Sequence, residues 1–453
     1  MRLHEAADAI GATAQGADGE FSGVSTDSRS LPPGCLFIAL RGERFDGHTF
    51  VEQALAQGAA AVMVADDYDT AHLAPHSVLV VDDTRLALGR LAAWQRRRMP
   101  AKLLAITGSN GKTTVKEMVA AIASAHAGPD AVLATAGNFN NDIGMPLTLL
   151  RLAPSHQFAV IEMGMNHPGE LDYLSRLAQP DVALVNNALR AHLEGLGSVA
   201  AVARAKGEIY NGLKPDGIAL YNADDPNADI WRALTEGKSR IGFGLAQGEV
   251  RADCRLRALG ADLNLHTPAG TVEISLQVPG EHNARNAVAA AAAAQALGIP
   301  LEAIARGLAS FNGVKGRLQS HACILGARLI DDTYNANPDS VTAAIRVLAA
   351  QSGTRLLVLG DMGELGANAA QLHTEIGLEA RQAGIDRLLC LGEMSLNAAE
   401  AFGAGAMHFE RIEELLAEVE NALAPGITVL VKGSRFMKME RVVKSLQETQ
   451  TCS

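Results

Sequence analysis

The 453-residue chain is too long for one hydrophobic core, and the usual domain size of roughly 100–200 residues predicts a small number of domains, of which three are expected. With 48% apolar and 20% charged residues the composition is globular and excludes a disordered or fibrous chain. A formal charge of −11 argues against a nucleic-acid or membrane-surface binder, so an anionic ligand has to be met by local Lys and Arg.

The cysteines (Cys35, Cys254, Cys323, Cys390 and Cys452) form no Cys-x-x-Cys pair, which predicts neither a zinc ribbon nor a disulfide framework and fits a reducing compartment. Met1 to Glu5 opens without an apolar run, and no stretch approaches the ~20 apolar residues of a membrane span. A cytoplasmic protein is expected.

The opening segment mixes short apolar runs (35–40, 60–64, 77–81) with Gly and Asp turns, predicting a small α/β unit over residues 1–83. A helix over 84–98, closed by Pro100, leads to a buried strand at 103–107, which opens a second unit over 84–314. Val115, Met118, Val119 and Ile122 recur at helical spacing directly after the Gly-rich turn that follows. Apolar runs at 158–161, 182–185 and 218–221 alternate with helix-length segments, as in a mainly parallel sheet. From Arg240 to Pro279 the pattern reads as an antiparallel meander, and an Ala-rich helix over 284–297 follows. The third unit, 315–453, resumes the alternation with strands at 328–331, 356–359, 387–391 and 427–431, a doubly wound Rossmann-like pattern. Asn337 is its predicted helix N-cap, with Pro338 at the first helical position and Val341, Ala344, Ile345 and Leu348 as the buried stripe.

The strongest chemical signal is Gly108-Ser109-Asn110-Gly111-Lys112-Thr113-Thr114 between strand and helix. Such a loop wraps backbone N–H groups around phosphates, directs a lysine to the β- and γ-phosphates and offers a hydroxyl to Mg²⁺. It is a shortened P-loop, because Ile106 stands where the general pattern has its first glycine. Glu162 ends the 158–161 strand, the position of an acid that serves Mg²⁺ beside a P-loop. On their own, His192 reads first as a surface or packed histidine and Lys206 as an ordinary helix-surface lysine, while Asn138, Asn140 and Asn141 offer turn amides that could also contact a sugar or phosphate. Arg317, in a linker with Gly313 and Gly316, could close over a triphosphate when domains meet.

In order and spacing, the loop at 108–114, Glu162, His192, Lys206, His282-Asn283-x-x-Asn286 and Arg317 resemble the Mur ligase superfamily, which includes folylpolyglutamate synthetase, over nearly the whole chain. Four further stretches resemble the branch that adds D-alanyl-D-alanine: 137–147 from Gly137-Asn138 to Pro146-Leu147, Tyr334-Asn335-Ala336-Asn337-Pro338, 359–366 around Asp361 and Glu364, and Val431-Lys432-Gly433-Ser434-Arg435. The Tyr-Ala-His-Thr-Pro and Asp-Asn-Pro-Arg motifs of the branch that adds the third amino acid are absent.

The resemblance implies a ligase that uses ATP and Mg²⁺, as two ions, to join UDP-N-acetylmuramoyl-tripeptide to D-alanyl-D-alanine through an acyl phosphate. It further implies that Lys112 is catalytic, that Thr113, Glu162 and His192 serve the metal, and that Lys206 becomes N-carboxylated to supply another oxygen. Asn286, Arg317 and Asp332 would face the nucleotide, with Tyr334, Asn335 and Asn337 in the C-terminal substrate loop. Ser25, Thr26, Asp27, Ser28, Arg29, Asp46, Gly47 and His48, with Asn138, Asn140 and Asn141, would hold the UDP-substrate. A monomer that binds no nucleic acid is expected. The chain departs from the family pattern at Arg190, where a smaller residue is expected just before His192.

Overall fold

A computed structural model describes residues 1–43, 45–191 and 193–447. His192, Arg44 and Cys452 therefore lie outside the described residues. The chain builds three sheets in three α/β domains, in sequence order.

In the first, Ala61–Ala65 lies centrally between Ser77–Val81 and Leu36–Ile38, all parallel, with Val24–Ser25 at one edge and the antiparallel Thr13–Gln15 at the other. Alternate residues feed opposite faces: Leu36 and Ile38 pack with Leu3 and Leu79, whereas Phe37 packs with Val62 and Val64. The helix Thr84–Arg98 starts where the Asp83 carboxylate accepts from the N–H groups of Arg85 and Leu86, and it ends in Arg96, Arg97 and Arg98, cations at the negative pole of the helix. Its Ala87, Leu88 and Leu91 fill the first core while Ala92 enters the second, so this one element joins two cores.

The central sheet places the P-loop strand Lys102–Thr107 between Phe158–Glu162 and Val182–Val185, all parallel. Leu104 and Ile106 pack against Val115, Met118, Val119 and Ile122 of the helix Lys112–Ala127, the predicted stripe. The Ala-rich helix Glu281–Ala296 joins the same core and buries alanines all round, which explains its lack of an amphipathic pattern. The segment after Arg240 corrects the expected meander. Ser239–Gly244 is a further parallel strand beside Ile218–Asn222, and antiparallel pairing begins only with Val250–Arg257, Gly260–Thr267 and Gly270–Leu276. The strand at 239–244 follows a helix (Ala228–Leu234), so its connection is a crossover, and the short Gly-broken run concealed its direction.

The third sheet runs Gln319–Ala322, Arg328–Asp332, Ile427–Lys432, Thr354–Gly360, Arg387–Leu391, Ala406–Phe409, parallel except for its antiparallel first strand. Leu357 and Leu359 face one helical layer, Leu356 and Val358 the other, as a sheet covered on both faces requires. Asn337 caps the helix Pro338–Ala349 in a full capping box: its side chain accepts from the Ser340 N–H at 2.9 Å and its own N–H donates to Ser340 Oγ at 3.0 Å.

Asn337→Ala should cost about 1 kcal/mol of C-terminal domain stability through the lost cap, whereas Asn337→Asp should retain the cap. Chemical denaturation followed by a probe placed in that domain measures the difference.

Candidate active site

The nucleotide loop sits at the carboxyl end of its strand, where open α/β sheets bind ligands. Gly111 supplies the turn into the helix with a φ of +81°. A Cβ at that position would collide with Asn286 Oδ1 and lie 2.6 Å from Asn186 Nδ2. The loop is held from below by amides: Asn187 Oδ1 accepts from the Asn110 N–H at 2.9 Å, and Asn186 and Asn187 both donate to the Asn110 carbonyl at 3.0 Å. Asn186 also donates to Asn286 at 2.9 Å, and Asn286 donates to Asn283 at 3.2 Å. Ser109 is fastened to the same segment, its Oγ accepting from the Leu189 N–H at 2.9 Å. Asn186 and Asn187 were not singled out from the sequence; the available signal was two consecutive amides at the tip of a strand adjoining the P-loop strand.

Thr113 and Glu162 meet directly. The Thr113 hydroxyl donates to Glu162 Oε2 at 2.8 Å, and Asn140 Nδ2 donates to the other carboxylate oxygen at 2.8 Å. The backbone under Glu162 is fixed by Thr135, whose Oγ1 accepts the Glu162 N–H at 3.0 Å and whose carbonyl accepts from the buried Lys116 Nζ at 2.6 Å. Lys112 Nζ donates to the Gly108 carbonyl at 2.7 Å. Burial pushes its pKa down, Glu162 opposes that shift and Arg317 adds to it.

Arg317 reaches across from the C-terminal side: Nη2 donates to Thr113 Oγ1 at 3.0 Å, and the guanidinium lies over the Tyr334 ring at 4.2 Å. Arg317, expected in a linker that closes when domains meet, is thus docked on the nucleotide loop in this structure. Asn337 joins it there, exchanging amide hydrogen bonds with Asn110 at 2.7 and 3.1 Å. Asp332 is committed elsewhere. Its carboxylate accepts from Lys432 Nζ at 2.6 Å and from the Leu318 N–H at 3.2 Å, and burial raises its pKa against the opposing pull of Lys432. It fixes the turn that carries Arg317. Asn335 contributes its carbonyl to the same lysine at 2.9 Å.

Lys206 is 1% exposed, and no hydrogen bond or ion pair to it is found among the described residues. Burial pushes its pKa well below the usual lysine value, and Lys112 lowers it further. The helix-surface reading is therefore corrected: its apolar neighbours on Val199–Gly207 and the strand beneath bury it. His282 has its pKa pushed down to about 4 by burial, with Lys432 and Arg285 adding to the shift.

The residues expected at the UDP end divide. Ser25 and Thr26 to Arg29 form a self-bonded turn in which Asp27 accepts from the Arg29 N–H and guanidinium at 2.8–2.9 Å. Asp46 receives His48 Nδ1 at 2.6 Å while His48 Nε2 accepts the Ala65 N–H at 3.0 Å, so both ring nitrogens are engaged within the protein and His48 shapes its loop without a free donor. Gly47 passes so close to Leu40 that a Cβ would meet its carbonyl at 2.7 Å. Asn140 belongs to the Glu162 cluster instead, and Asn141 accepts the Gly144 N–H at 2.8 Å, leaving Asn138 exposed. No hydrogen bond joins the turns at 25–29 or 46–48 to the nucleotide loop among the described residues.

Gly111→Ala should weaken ADP binding about 10-fold or more, because a left-handed alanine costs ~1–2 kcal/mol and its methyl displaces Asn286 and Asn186. Isothermal titration of ADP into wild type and variant checks this, with circular dichroism to confirm the fold.

Three family models match in succession: the Mur ligase family catalytic domain over residues 20–96, the Mur ligase middle domain over 106–294, and the Mur ligase glutamate ligase domain over 316–435. The chain is 47% identical to the UDP-N-acetylmuramoyl-tripeptide–D-alanyl-D-alanine ligase of Escherichia coli, covering 100% of this chain and 99% of the relative. It superimposes on MurF from Acinetobacter baumannii with a TM-score of 0.91 at 38% identity, covering 98% and 97% of the two chains. MurF ligase from Thermotoga maritima in complex with ADP matches with a TM-score of 0.82 at 25% identity over 93% and 96%. With three successive domain matches and near-complete coverage by relatives, this chain belongs to the Mur ligase family.

Proposed function

We propose that this chain is the ATP-dependent ligase that joins UDP-N-acetylmuramoyl-tripeptide to D-alanyl-D-alanine in cytoplasmic peptidoglycan precursor synthesis, acting as a monomer. The observation that carries the reading is the meeting of three elements on Thr113: the P-loop, Glu162 of the adjoining strand and Arg317 from the linker to the C-terminal domain. Full-length likeness to relatives named for this reaction sets the substrates. Residues 1–83 are assigned to the UDP-substrate, 84–314 to ATP and 315–453 to the incoming dipeptide, with Tyr334, Asn335 and Asn337 in its loop.

In the reaction the substrate carboxylate attacks the γ-phosphoryl group of ATP, giving an acyl phosphate and ADP, and the dipeptide amine then displaces phosphate from the acyl carbon. Lys112 would exchange its bond to the Gly108 carbonyl for the triphosphate, and Arg317 lies where it can add charge on the same side. Both reactants are anions, so cations fixed beforehand lower the barrier without reorganising. Docking of the C-terminal domain excludes water, which would otherwise hydrolyse the acyl phosphate.

The oxygens of Thr113 and Glu162, 2.8 Å apart, form a donor set suited to Mg²⁺, with His192 assigned to the same role. Held there, the ions would supply positive charge to offset that of the phosphates. Lys206 fits N-carboxylation. Burial favours the neutral, nucleophilic amine, and its addition to CO₂ with loss of one proton would convert it to an anionic oxygen ligand.

ADP release should require both the UDP-tripeptide and D-alanyl-D-alanine, and a panel of UDP-muramoyl peptides with and without the dipeptide tests this. ATP turnover indifferent to the amine would overturn the ligase reading. Lys112→Ala should abolish ligation and leave the fold intact, since its contacts are to loop carbonyls. Lys206→Ala should be inactive but partly restored by short carboxylic acids that occupy the vacated oxygen position. Near-normal activity without additive would exclude the carbamate.

A further inference from the structure

Arg190 is the residue at which the chain departs from the family pattern, and among the described residues it is the most extensively hydrogen-bonded link between the central and C-terminal domains. Its backbone N–H donates to Asp339 Oδ2 at 2.7 Å while Nε and Nη2 both reach Asp339 Oδ1, at 3.1 and 2.9 Å. Nη1 donates to Glu375 Oε2 at 3.2 Å. One side chain thus engages two helices of the C-terminal domain, Pro338–Ala349 and Ala369–Gln382.

Both ends of this contact are tied to the nucleotide site. On the central side, Arg190 follows Leu189, whose N–H is bonded to Ser109 Oγ, and Asn186 and Asn187 of the same segment hold the Asn110 backbone. On the C-terminal side, Asp339 stands two residues after Asn337, which pairs with the Asn110 side chain. Asn110 and Arg190 therefore grip the first turn of one helix at two adjacent points, fixing its rotation as well as its distance. The Asp339 carboxylate is also well placed at the positive end of that helix. The side chain of Arg190 is 35% exposed and that of Asp339 24%, so the pair is partly desolvated yet open to screening by salt.

We propose that Arg190 is a positioning residue: through Asp339 and Glu375 it sets the register in which the C-terminal domain docks over the nucleotide loop, and so places the incoming amine against the acyl phosphate. The amine's role rests on the ligase reading above; the docking register does not. Lysine cannot fully replace it, since it offers one point charge where the guanidinium sets two donors on Asp339 Oδ1 and a third on Glu375.

The test compares wild type with Arg190→Ala, Arg190→Lys, Asp339→Ala and the double variant Arg190→Ala/Asp339→Ala. Steady-state ligation, ADP titration and small-angle scattering with a non-hydrolysable ATP analogue are read for each. Misplacing a reactant by about 1 Å can cost ~100-fold, so Arg190→Ala should lower kcat/KM for the dipeptide on the order of 10-fold or more, with ADP affinity within about twofold of wild type. Arg190→Lys should recover part of the loss, and the double variant should be no worse than the poorer single variant, as shared function requires. Wild-type kcat/KM should fall with added NaCl more steeply than that of Arg190→Ala, and the variant should compact less with the analogue.

Equal kcat/KM and equal compaction in wild type and Arg190→Ala would overturn the proposal. So would a parallel loss of ADP affinity, which would make Arg190 a support of the nucleotide loop alone. Absence of dipeptide-dependent ligation in wild type would instead overturn the ligase reading, and the scattering comparison would still decide the role of Arg190.

Discussion

The Thr113 hydroxyl is the point on which the arrangement depends. It donates a hydrogen bond to Glu162 and accepts one from Arg317, so a single oxygen connects the P-loop, the neighbouring strand and the linker to the third domain. A hydroxyl can do both at once, which neither a carboxylate nor an ammonium can. Every other feature of the site keeps these three partners in reach: Asn140 and Thr135 hold Glu162, Asp332 and Tyr334 hold Arg317, and Asn186 and Asn187 hold the loop.

Amides do much of this holding. Around the loop they satisfy backbone donors and acceptors without introducing charge, which matters beside a site that must receive a triphosphate. Charge is reserved for groups aimed into the site or across the domain junction. Lys206 is buried and Lys112 partly so, and desolvation pushes both toward neutrality, with Lys112 adding to the shift on Lys206, whereas the Arg317 guanidinium lies over an aromatic face. The contrast follows from chemistry: an ammonium sheds its proton when desolvated, and a guanidinium does not.

Beside the nucleotide loop the domain junction is made by polar, directional contacts: the amide exchange of Asn110 with Asn337, Arg190 on Asp339, and Arg317 on Thr113. Interfaces of this kind separate and re-form more readily than hydrophobic ones, which suits domains that must admit large substrates and then exclude water. Each of these contacts also lies within a residue or two of the nucleotide loop or the segment supporting it, so the docked domain borders the nucleotide site directly.

The sequence by itself determined the order of elements, because strands buried on both faces read as unbroken apolar runs, and the helix after the P-loop and the Asn337 cap carry local signatures that need no distant partner. It also brought forward Lys112, Thr113 and Glu162 through a loop motif and a strand-end acid whose geometry is local, and Arg317 through its linker position and the family resemblance. Tertiary structure alone decided the rest. The direction of Ser239–Gly244 depends on which neighbour it pairs with, and the short strands Thr13–Gln15 and Gln319–Ala322 acquire their identity from edges already formed. Lys206 lies on a helix whose surface is indistinguishable in sequence from a solvated one until the sheet covers it. Asn186 and Arg190 matter because they meet residues 100 and 149 positions away, and Asp332 turns inward because Lys432 arrives on the adjoining strand. Contacts between partners so far apart have no periodicity along the chain; they exist only once the sheets bring the strand ends together.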